Sequence, residues 1–172
     1  DFFGGAAADL IAARTAVNIP LLRKDFMLSN YQLYEAKAWG ADIVLLIAAI
    51  LSPDEIVSLS KSAKSLGLNV LLEVHNEAEL NRSLCADIDA VGVNNRNLGY
   101  FTVDVQTSFN LVDKIPAEYL KISESAISDT DTILALKDAG FDGFLIGENF
   151  MKEQDPAIAF GKFTDRLKGQ ER

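Results

Sequence analysis

The sequence predicts a parallel α/β fold, and three observations support that prediction. Short apolar segments alternate with helix-like segments, with a repeat of roughly 20 to 30 residues, the length of a strand plus its crossover helix. Two helix-to-strand turns, Gly40-Ala41-Asp42 and Gly140-Phe141-Asp142, are near-copies of each other. The glycine fingerprint of dinucleotide-binding sheets and the P-loop are both absent from the sequence, which favours a closed barrel over an open sheet.

The predicted strands are short and rich in Val, Ile and Leu, as expected of parallel strands covered on both faces. They span residues 20–23, 43–47, 70–73, 90–93, 120–123 and 143–146. Helical spacing predicts helices over residues 6–17, 29–39, 53–66, 77–84, 105–114, 130–139 and 156–167. The helix boundaries carry matching signals, since Ser52 before Pro53 is an N-cap and Gly40, Gly67 and Gly140 are C′ glycines.

Six strand–helix units are two fewer than the eight of a complete TIM (β/α)8 barrel. Phosphate sites in such barrels are commonly built by the loops after strands seven and eight, from backbone N–H groups and a helix N-terminus. The last two predicted strands run into small or polar residues at 123–127 and 145–149, which suits that role. We therefore predict a single, partial TIM-barrel domain over residues 1–172 that holds strands 3 to 8, with the first two strands expected before residue 1.

Composition narrows the class of partner. The formal net charge of −9 argues against nucleic acid but not against a small anionic ligand, which needs only a few local cations and N–H groups. No apolar run approaches the ~20 residues that cross a bilayer, and no signal-peptide layout is present, so we expect a cytoplasmic protein with no membrane partner. Cys85 is the only cysteine and is expected to be a buried thiol; with one histidine as well, we expect no metal.

Polar and aromatic side chains follow the predicted strands at their carboxyl ends, where ligands bind in parallel α/β folds. Loops between packed elements usually contain turn formers, whereas this set contains a lysine, carboxylates, amides and an arginine. Its members are Lys24, Phe26, Glu73, His75, Asn94, Asn95, Arg96, Ser123, Glu124, Ser125, Gly147 and Glu148.

Glu73 is the strongest candidate for a general base among these residues. It follows Val70-Leu71-Leu72, so partial burial is expected to raise its pKa towards the range useful for catalysis. The alternative is a structural ion pair between Lys24 and Glu73. His75 lies one residue beyond the inward alternation of the strand and is expected to be a loop residue.

The fourth predicted strand ends in two amides and an arginine. Asn94 is directed inward if Val93 faces outward, and Asn95 is then structural. Arg96 offers a planar donor fork that suits a carboxylate or a phosphate. An arginine paired with an acid from a neighbouring helix would have the same sequence, so both interpretations stay open.

These residues lie in motifs that resemble those of the indole-3-glycerol phosphate synthases of tryptophan biosynthesis, in the same order and over essentially the whole chain. The most specific motifs are Leu22-Arg23-Lys24-Asp25-Phe26 and Gly92-Val93-Asn94-Asn95-Arg96-Asn97-Leu98. The others are Phe2-Phe3-Gly4-Gly5, Leu45-Leu46-Ile47, Leu72-Glu73-Val74-His75, Ser123-Glu124-Ser125 and Phe144-Leu145-Ile146-Gly147-Glu148.

The resemblance implies a carbon–carbon lyase that uses neither metal nor organic cofactor. Its phosphorylated substrate, 1-(2-carboxyphenylamino)-1-deoxyribulose 5-phosphate, is converted to indole-3-glycerol phosphate with release of carbon dioxide and water. Lys24 then resembles the general acid, Glu73 the general base, and Glu124 the residue that orients the lysines. The implied contacts to the ring, carboxylate and reacting hydroxyls are Phe3, Phe26, Leu45, Asn94, Arg96 and Leu145, and those to the phosphate are Ser125, Ala126, Gly147 and Glu148.

Two departures from the family pattern qualify what the resemblance implies. Ala126 stands where the family has glycine, and a methyl group costs affinity if the site needs a positive φ. The Glu-x-Lys pair and serine of the family's first strand are not in this sequence, so we expect an incomplete site and little turnover from these 172 residues. Exposed barrel edges would also allow self-association.

Two other functions fit parts of this pattern. Another phosphosugar barrel enzyme, such as a phosphoribosylanthranilate isomerase, would share the phosphate site but would lack the Arg-Lys-Asp-Phe strand end. A non-catalytic phosphate-binding or assembly module would complete its barrel with a second chain.

Overall fold

The computed structural model of the protein describes residues 5–96 and 103–170. The strands in these ranges are β1 (Leu22–Arg23), β2 (Ile43–Ile47), β3 (Asn69–Val74), β4 (Ala90–Asn94), β5 (Leu120–Glu124) and β6 (Gly143–Leu145). The helices are α1 (Ala7–Ala16), α2 (Asn30–Ala38), α3 (Pro53–Ser65), α4 (Glu77–Ser83), α5 (Gln106–Leu111), α6 (Thr130–Asp138), α7 (Glu148–Met151) and α8 (Pro156–Gln170). A 3₁₀ turn, Val112–Lys114, follows α5.

The described chain divides into two compact units. The first runs to Val74 and includes Ala78–Val91, and the second comprises His75–Glu77 and the residues from Gly92 onward. Strand β4 contributes to both, and the strands of the sheet follow one another in chain order. That the chain forms a single domain stays a prediction.

In the first unit, β1, β2 and β3 pair in parallel, with Arg23 opposite Val44 and Ile47 opposite Glu73. Successive residues of β2 and β3 are buried on both faces, which is why their sequences are continuous apolar runs rather than alternating ones. Val44, Leu46, Val70, Leu72 and Val74 are fully buried. Burial of each such side chain stabilises the fold by roughly 1.5–3 kcal/mol.

In the second unit, β5 and β6 pair in parallel, with Ser123 opposite Phe144 and Glu124 opposite Leu145. Helix α7 packs on α8 through Phe150, whose ring makes edge-to-face contacts with Phe160 and Phe163 at centroid distances of 5.3 Å each. Such aromatic pairs add about 0.5–1.5 kcal/mol each to the area they bury.

The helix caps form as the sequence predicts. The Ser52 hydroxyl accepts the Glu55 N–H at 3.3 Å, and the Glu55 carboxylate accepts the Ser52 N–H at 2.8 Å, a capping box at the start of α3. Gly40, Gly67 and Gly140 end α2, α3 and α6 with φ values of 91°, 68° and 107°. A residue other than glycine would be strained in this region.

The predicted boundaries agree with the structure to within one or two residues, apart from the end of α8, which lies three residues beyond the predicted one, and two further predictions need correction. The single helix predicted over residues 105–114 is interrupted, since α5 ends at Leu111 and a 3₁₀ turn completes the segment. Pro116 explains why the segment stops at Lys114, because the residue before a proline is driven out of the helical region and Ile115 is extended. Helix α7 was not predicted, because one helical turn is too short to show a period.

An aspartate lies directly before each of β2, β4 and β6 and is hydrogen-bonded to a residue at or next to the start of the preceding strand. The carboxylates of Asp42, Asp89 and Asp142 each accept a backbone N–H at 2.8 Å, from Leu21, Val70 and Lys121 respectively. The three aspartate N–H groups donate back to the carbonyls of the same residues, at 2.9, 3.1 and 2.8 Å. The repeated feature is therefore an aspartate that bonds the backbone at the start of a strand. The two similar Gly-x-Asp turns contain only two of its three copies.

The N–H of Leu21 lowers the pKa of the Asp42 carboxyl below its ordinary value. Burial opposes this effect, and the neighbouring Arg14 guanidinium, which donates to the same carboxylate at 2.7 Å, adds to it. Asp42 is therefore held in its charged form by the fold itself.

Candidate active site

In the first unit, the structure brings together the two residues predicted to act as acid and base. Lys24 is the first residue after β1, and its Nζ lies 2.8 Å from Oε2 of Glu73. The lysine side chain is 46% exposed, whereas the glutamate side chain is 3% exposed. The pair thus joins a solvent-accessible cation to a buried carboxylate.

Glu73 was predicted to be the last residue of its strand. In the structure β3 continues to Val74, so Glu73 is the last residue but one. Its backbone carbonyl accepts the Ala48 N–H at 2.9 Å. An ammonium can give up a proton and a carboxylate can receive one, so this pair supplies an acid and a base within hydrogen-bond distance of each other. The structural ion pair that the sequence left open would make the same contact.

The neighbouring cation, Arg23, has a different role. Its side chain is 10% exposed and lies over the Trp39 ring at 4.3 Å from the centroid. It donates to the Gln32 carbonyl at 2.9 Å and pairs with Asp25 and Glu35. Arg23 therefore anchors α2 to β1, and of the two adjacent cations only Lys24 is presented outward.

The predicted apolar substrate contacts are distributed differently. Phe26 is half-buried, three residues after β1, whereas Leu45 is 2% exposed in the middle of β2. Leu145 is half-buried at the end of β6 in the second unit. Phe3 lies outside the described residues. These four assignments stay predictions.

The second unit holds the other polar strand ends. Asn94, the last residue of β4, accepts the Arg96 N–H through Oδ1 at 3.0 Å. The Arg96 guanidinium pairs with the carboxylate of Glu148, the first residue of α7. This is the arginine–acid pairing that the sequence left open, and both partners are exposed, at 42% and 75% of their side chains. Such exposed pairs contribute about 0–1 kcal/mol, so Arg96 can exchange its partner at little cost.

Strand β5 ends in the buried Glu124 and leads into two residues with left-handed backbone. Ser125 and Ala126 have φ values of 65° and 61°, although neither is a glycine. The left-handed conformation costs roughly 1–2 kcal/mol per residue with a side chain. The condition under which the alanine was expected to be unfavourable is therefore met.

Gly147 precedes α7 and is exposed, and a Cβ built on it meets no atom within 4 Å. Its backbone can be approached closely by a ligand, which is one use of glycine at such a position. Glu148 differs from the prediction in one respect, because its side chain is already engaged by Arg96.

Sequence reasoning missed a buried cluster of Asn95, Ser108 and Ser123, which we call the amide–serine cluster. The three residues are 2%, 0% and 0% exposed. The prediction that Asn95 is structural agrees with its burial. Ser108, in the first turn of α5, carried no sequence signal, because a serine there is ordinary.

Among residues 5–96 and 103–170, no group of three or more His, Cys, Asp and Glu side chains is placed to hold a metal ion. No helix in the same ranges is both long and apolar enough to span a bilayer. His75 follows β3 and is half-buried.

Comparison with solved structures defines the class. The chain is similar to 3-hexulose-6-phosphate synthase from Salmonella typhimurium, with a TM-score of 0.75, 17% identity, and coverage of 95% of this chain and 80% of that one. It is also similar to the tryptophan synthase A-subunit from Pyrococcus furiosus, with a TM-score of 0.70, 14% identity, and coverage of 95% and 72%. The fold is therefore that of a TIM-barrel protein of which part is present.

The family model for indole-3-glycerol phosphate synthase matches residues 1–163, and the chain belongs to that family. It is 48% identical over 166 residues to the indole-3-glycerol phosphate synthase of Bacteroides thetaiotaomicron, covering 96% of this chain and 64% of the relative. To that of Kineococcus radiotolerans it is 47% identical over 157 residues, covering 91% and 57%. The chain thus spans about three-fifths of the length of these curated relatives, and the predicted family is confirmed.

Proposed function

We propose that the protein acts as an indole-3-glycerol phosphate synthase. It would convert 1-(2-carboxyphenylamino)-1-deoxyribulose 5-phosphate to indole-3-glycerol phosphate, carbon dioxide and water, as a carbon–carbon lyase. The observation that carries the proposal is the ion pair of exposed Lys24 with buried Glu73, at 2.8 Å, in a member of this family.

In this proposal Lys24 is the general acid. Its Nζ donates a proton to the substrate's carbonyl oxygen while the aromatic carbon attacks the carbonyl carbon. Loss of carbon dioxide then restores the aromatic ring. Because the lysine side chain is 46% exposed, a substrate oxygen can reach its Nζ without displacing buried groups.

Glu73 acts afterwards as the general base in the dehydration that forms the indole. Its side chain is 3% exposed, so water competes little for its oxygens. Oε2 of Glu73 lies 2.8 Å from Nζ of Lys24, so a proton can pass between the acid and the base within hydrogen-bond distance. The two roles are thus coupled through one contact.

The remaining contacts follow from the second unit. Asn94 and Arg96 are assigned to the substrate carboxylate and hydroxyls, and Glu124 to orienting the lysines. The substrate phosphate is assigned to main-chain N–H groups of Ser125, Ala126, Gly147 and Glu148. The open backbone at Gly147 and the weak hold of Glu148 on Arg96 support these assignments.

The activity belongs to the protein expressed from its complete gene, since the relatives are longer than this chain. We propose that the protein is cytoplasmic, needs neither metal nor organic cofactor, and binds neither nucleic acid nor membrane. The chain is proposed to be a single partial TIM-barrel domain that can self-associate through exposed barrel edges.

The test is Lys24→Ala in the protein expressed from its complete gene, with Lys61→Ala as control. Lys61 is an exposed lysine on α3, so this change removes the same side chain away from the site. Loss of a general acid is expected to reduce kcat/KM by about 10²–10⁴-fold. Full activity in Lys24→Ala would contradict the acid role, and substrate binding without turnover by the unaltered protein would favour a non-catalytic module.

A further inference from the structure

The amide–serine cluster makes a closed ring of hydrogen bonds beneath the end of β5. Asn95 Nδ2 donates to the Ser123 hydroxyl at 3.2 Å, and the Ser108 hydroxyl donates to Asn95 Oδ1 at 2.9 Å. The two serine hydroxyls lie 2.7 Å apart. Since the Ser108 proton is used on Asn95, the Ser123 hydroxyl donates to Ser108, and the ring closes.

The orientation of the Asn95 amide is fixed by this surrounding. Its Oδ1 also accepts the backbone N–H of Ser108 at 3.1 Å, and an N–H can only donate. Nδ2 must therefore face the opposite side, where its second proton is donated to the carbonyl of Ser125 at 3.2 Å. All of the amide's hydrogen-bonding directions are in use.

The bond to the Ser125 carbonyl acts on a strained turn. Ser125 and Ala126, the Ser125–Ala126 turn, both have left-handed backbone without being glycine, so neither prefers this conformation. The peptide between them is trans, and in a trans peptide the carbonyl and the N–H point in opposite directions. Because the Ser125 carbonyl points at Asn95, the N–H of Ala126 points away from the buried cluster.

We propose that Asn95 is a positioning residue for phosphate binding, which acts by holding the Ser125–Ala126 turn so that the Ala126 N–H is presented to the ligand. This inference rests on the proposed function, in which that N–H contacts the substrate phosphate. The Asn95 backbone N–H also donates to the Glu124 carbonyl at 2.9 Å. The main chain of Asn95 therefore bonds the last residue of β5, and its side chain bonds the residue that follows. The ligand chemistry is that of a phosphate group.

The experiment measures binding of inorganic phosphate by calorimetry to the protein expressed from its complete gene. Asn95→Asp keeps the size and the acceptor for Ser108 but cannot donate to the Ser125 carbonyl when ionised. We expect it to weaken phosphate binding by about tenfold. Asn95→Ala introduces no buried charge and is expected to give a similar loss.

Ser108→Ala is the matched control, because it removes one bond from Asn95 Oδ1 and leaves the donor to Ser125 in place. It should lower the denaturation midpoint but keep phosphate affinity within about twofold, since the turn keeps its own bond. In turnover, the Asn95 variants should raise KM more than they lower kcat. Equal loss of phosphate affinity in Ser108→Ala and the Asn95 variants would overturn the positioning role.

A double variant distinguishes positioning from general destabilisation. Adding Ala126→Gly to Asn95→Ala should restore part of the lost phosphate affinity, because glycine populates the left-handed region without a steric cost. Strictly additive effects would contradict the inference. If the unaltered protein binds no inorganic phosphate, the phosphate site of the proposed function is wrong; if it binds and Asn95→Asp binds equally well, only the positioning role is wrong.

Discussion

At the amino ends of the strands the carboxylates that meet the backbone are aspartates, whereas at the carboxyl ends the buried carboxylates are glutamates. Asp42, Asp89 and Asp142 each accept a backbone N–H at or next to the start of the preceding strand, at 2.8 Å. Glu73 instead pairs with the side chain of Lys24, at the same distance. The two ends of the strands thus use the same functional group on side chains of different length.

The difference shows how the two ends serve different purposes. An aspartate has one methylene, so its oxygens reach only nearby backbone, and its position is fixed by the strand that it caps. A glutamate at a strand end reaches further and bonds a lysine that is itself half-exposed. The amino ends therefore contribute to stability, and the carboxyl ends keep groups that can change partners, as in TIM barrels generally.

Glu73→Gln should have the largest effect on function at the carboxyl ends. Glutamine keeps the shape and a hydrogen bond from Lys24 but cannot accept a proton, so kcat/KM should fall by about 10²–10⁴-fold. Glu118→Gln, an exposed position before β5, is the matched control. Steady-state kinetics of folded Glu73→Gln that resemble those of the control would contradict the role of Glu73 as general base.

Asp89→Ala should have the largest effect on stability at the amino ends. It removes bonds from the Val70 N–H at 2.8 Å and the Lys64 ammonium at 2.6 Å, and hydrogen bonds to charged groups contribute about 1.5–3 kcal/mol. The free energy of unfolding, from denaturant titration, should fall by that order, with kcat/KM per folded molecule retained.

Asp87→Ala provides the control for this change, two residues earlier in the same loop and half-buried. It should change the unfolding free energy by less than about 0.5 kcal/mol. A similar loss of stability in both variants would mean that the bond to β3 is not what Asp89 contributes.

The pH dependence of the free energy of unfolding should show the stabilising role of the aspartates at the amino ends. The Leu21 N–H holds the folded-state pKa of Asp42 below its ordinary value of 3.8. A lowered folded-state pKa means that the unfolded chain binds a proton first, so the stabilisation is complete above 3.8 and is lost as the pH falls through the lower folded value.

Asp42→Asn tests this sign, because asparagine can still accept the Leu21 N–H but does not titrate. The variant should be less stable than the original protein near neutral pH and should lose less stability on acidification. Urea unfolding at a series of pH values and constant ionic strength measures both. A parallel acid loss in the two proteins would show that other carboxylates carry the pH dependence.

The strands and helices were predictable because each depends on local sequence. Continuous apolar runs gave the strands, and the capping box at Ser52 and the glycine after α3 gave that helix its limits. The strand-end residues were predictable for a related reason, since polar groups beside buried runs can lie only where the strand emerges. Lys24 and Glu73 are 49 positions apart, and the sequence offered their pairing only as the alternative to a general base at Glu73.

The unpredicted parts depend on contacts between distant residues or on backbone conformation. The amide–serine cluster joins Asn95 to Ser108 and Ser123, which are 13 and 28 positions away. The residue types of Ser125 and Ala126 gave no signal for the left-handed turn, because neither favours that region, and only the glycine that the family has in place of Ala126 pointed to a positive φ. Arg23 and Lys24 are adjacent cations, and only packing on Trp39 distinguishes the anchored one.

Glu148→Gln should have the smallest effect on stability and bears directly on the carboxyl ends. The pair of Arg96 and Glu148 is exposed on both sides, so its loss should change the unfolding free energy by less than about 0.5 kcal/mol. The change removes a negative charge beside the proposed phosphate contacts and releases the Arg96 guanidinium, so anion binding should strengthen about two- to fivefold at low ionic strength and less at high salt.

Asp138→Asn, an exposed acid at the end of α6, makes the same charge change away from the site and should leave affinity unaltered. Weaker phosphate binding in Glu148→Gln than in Asp138→Asn would mean that the pair of Glu148 with Arg96 holds the start of α7 in its binding position, and that the carboxyl ends are as fixed as the aspartates at the other end.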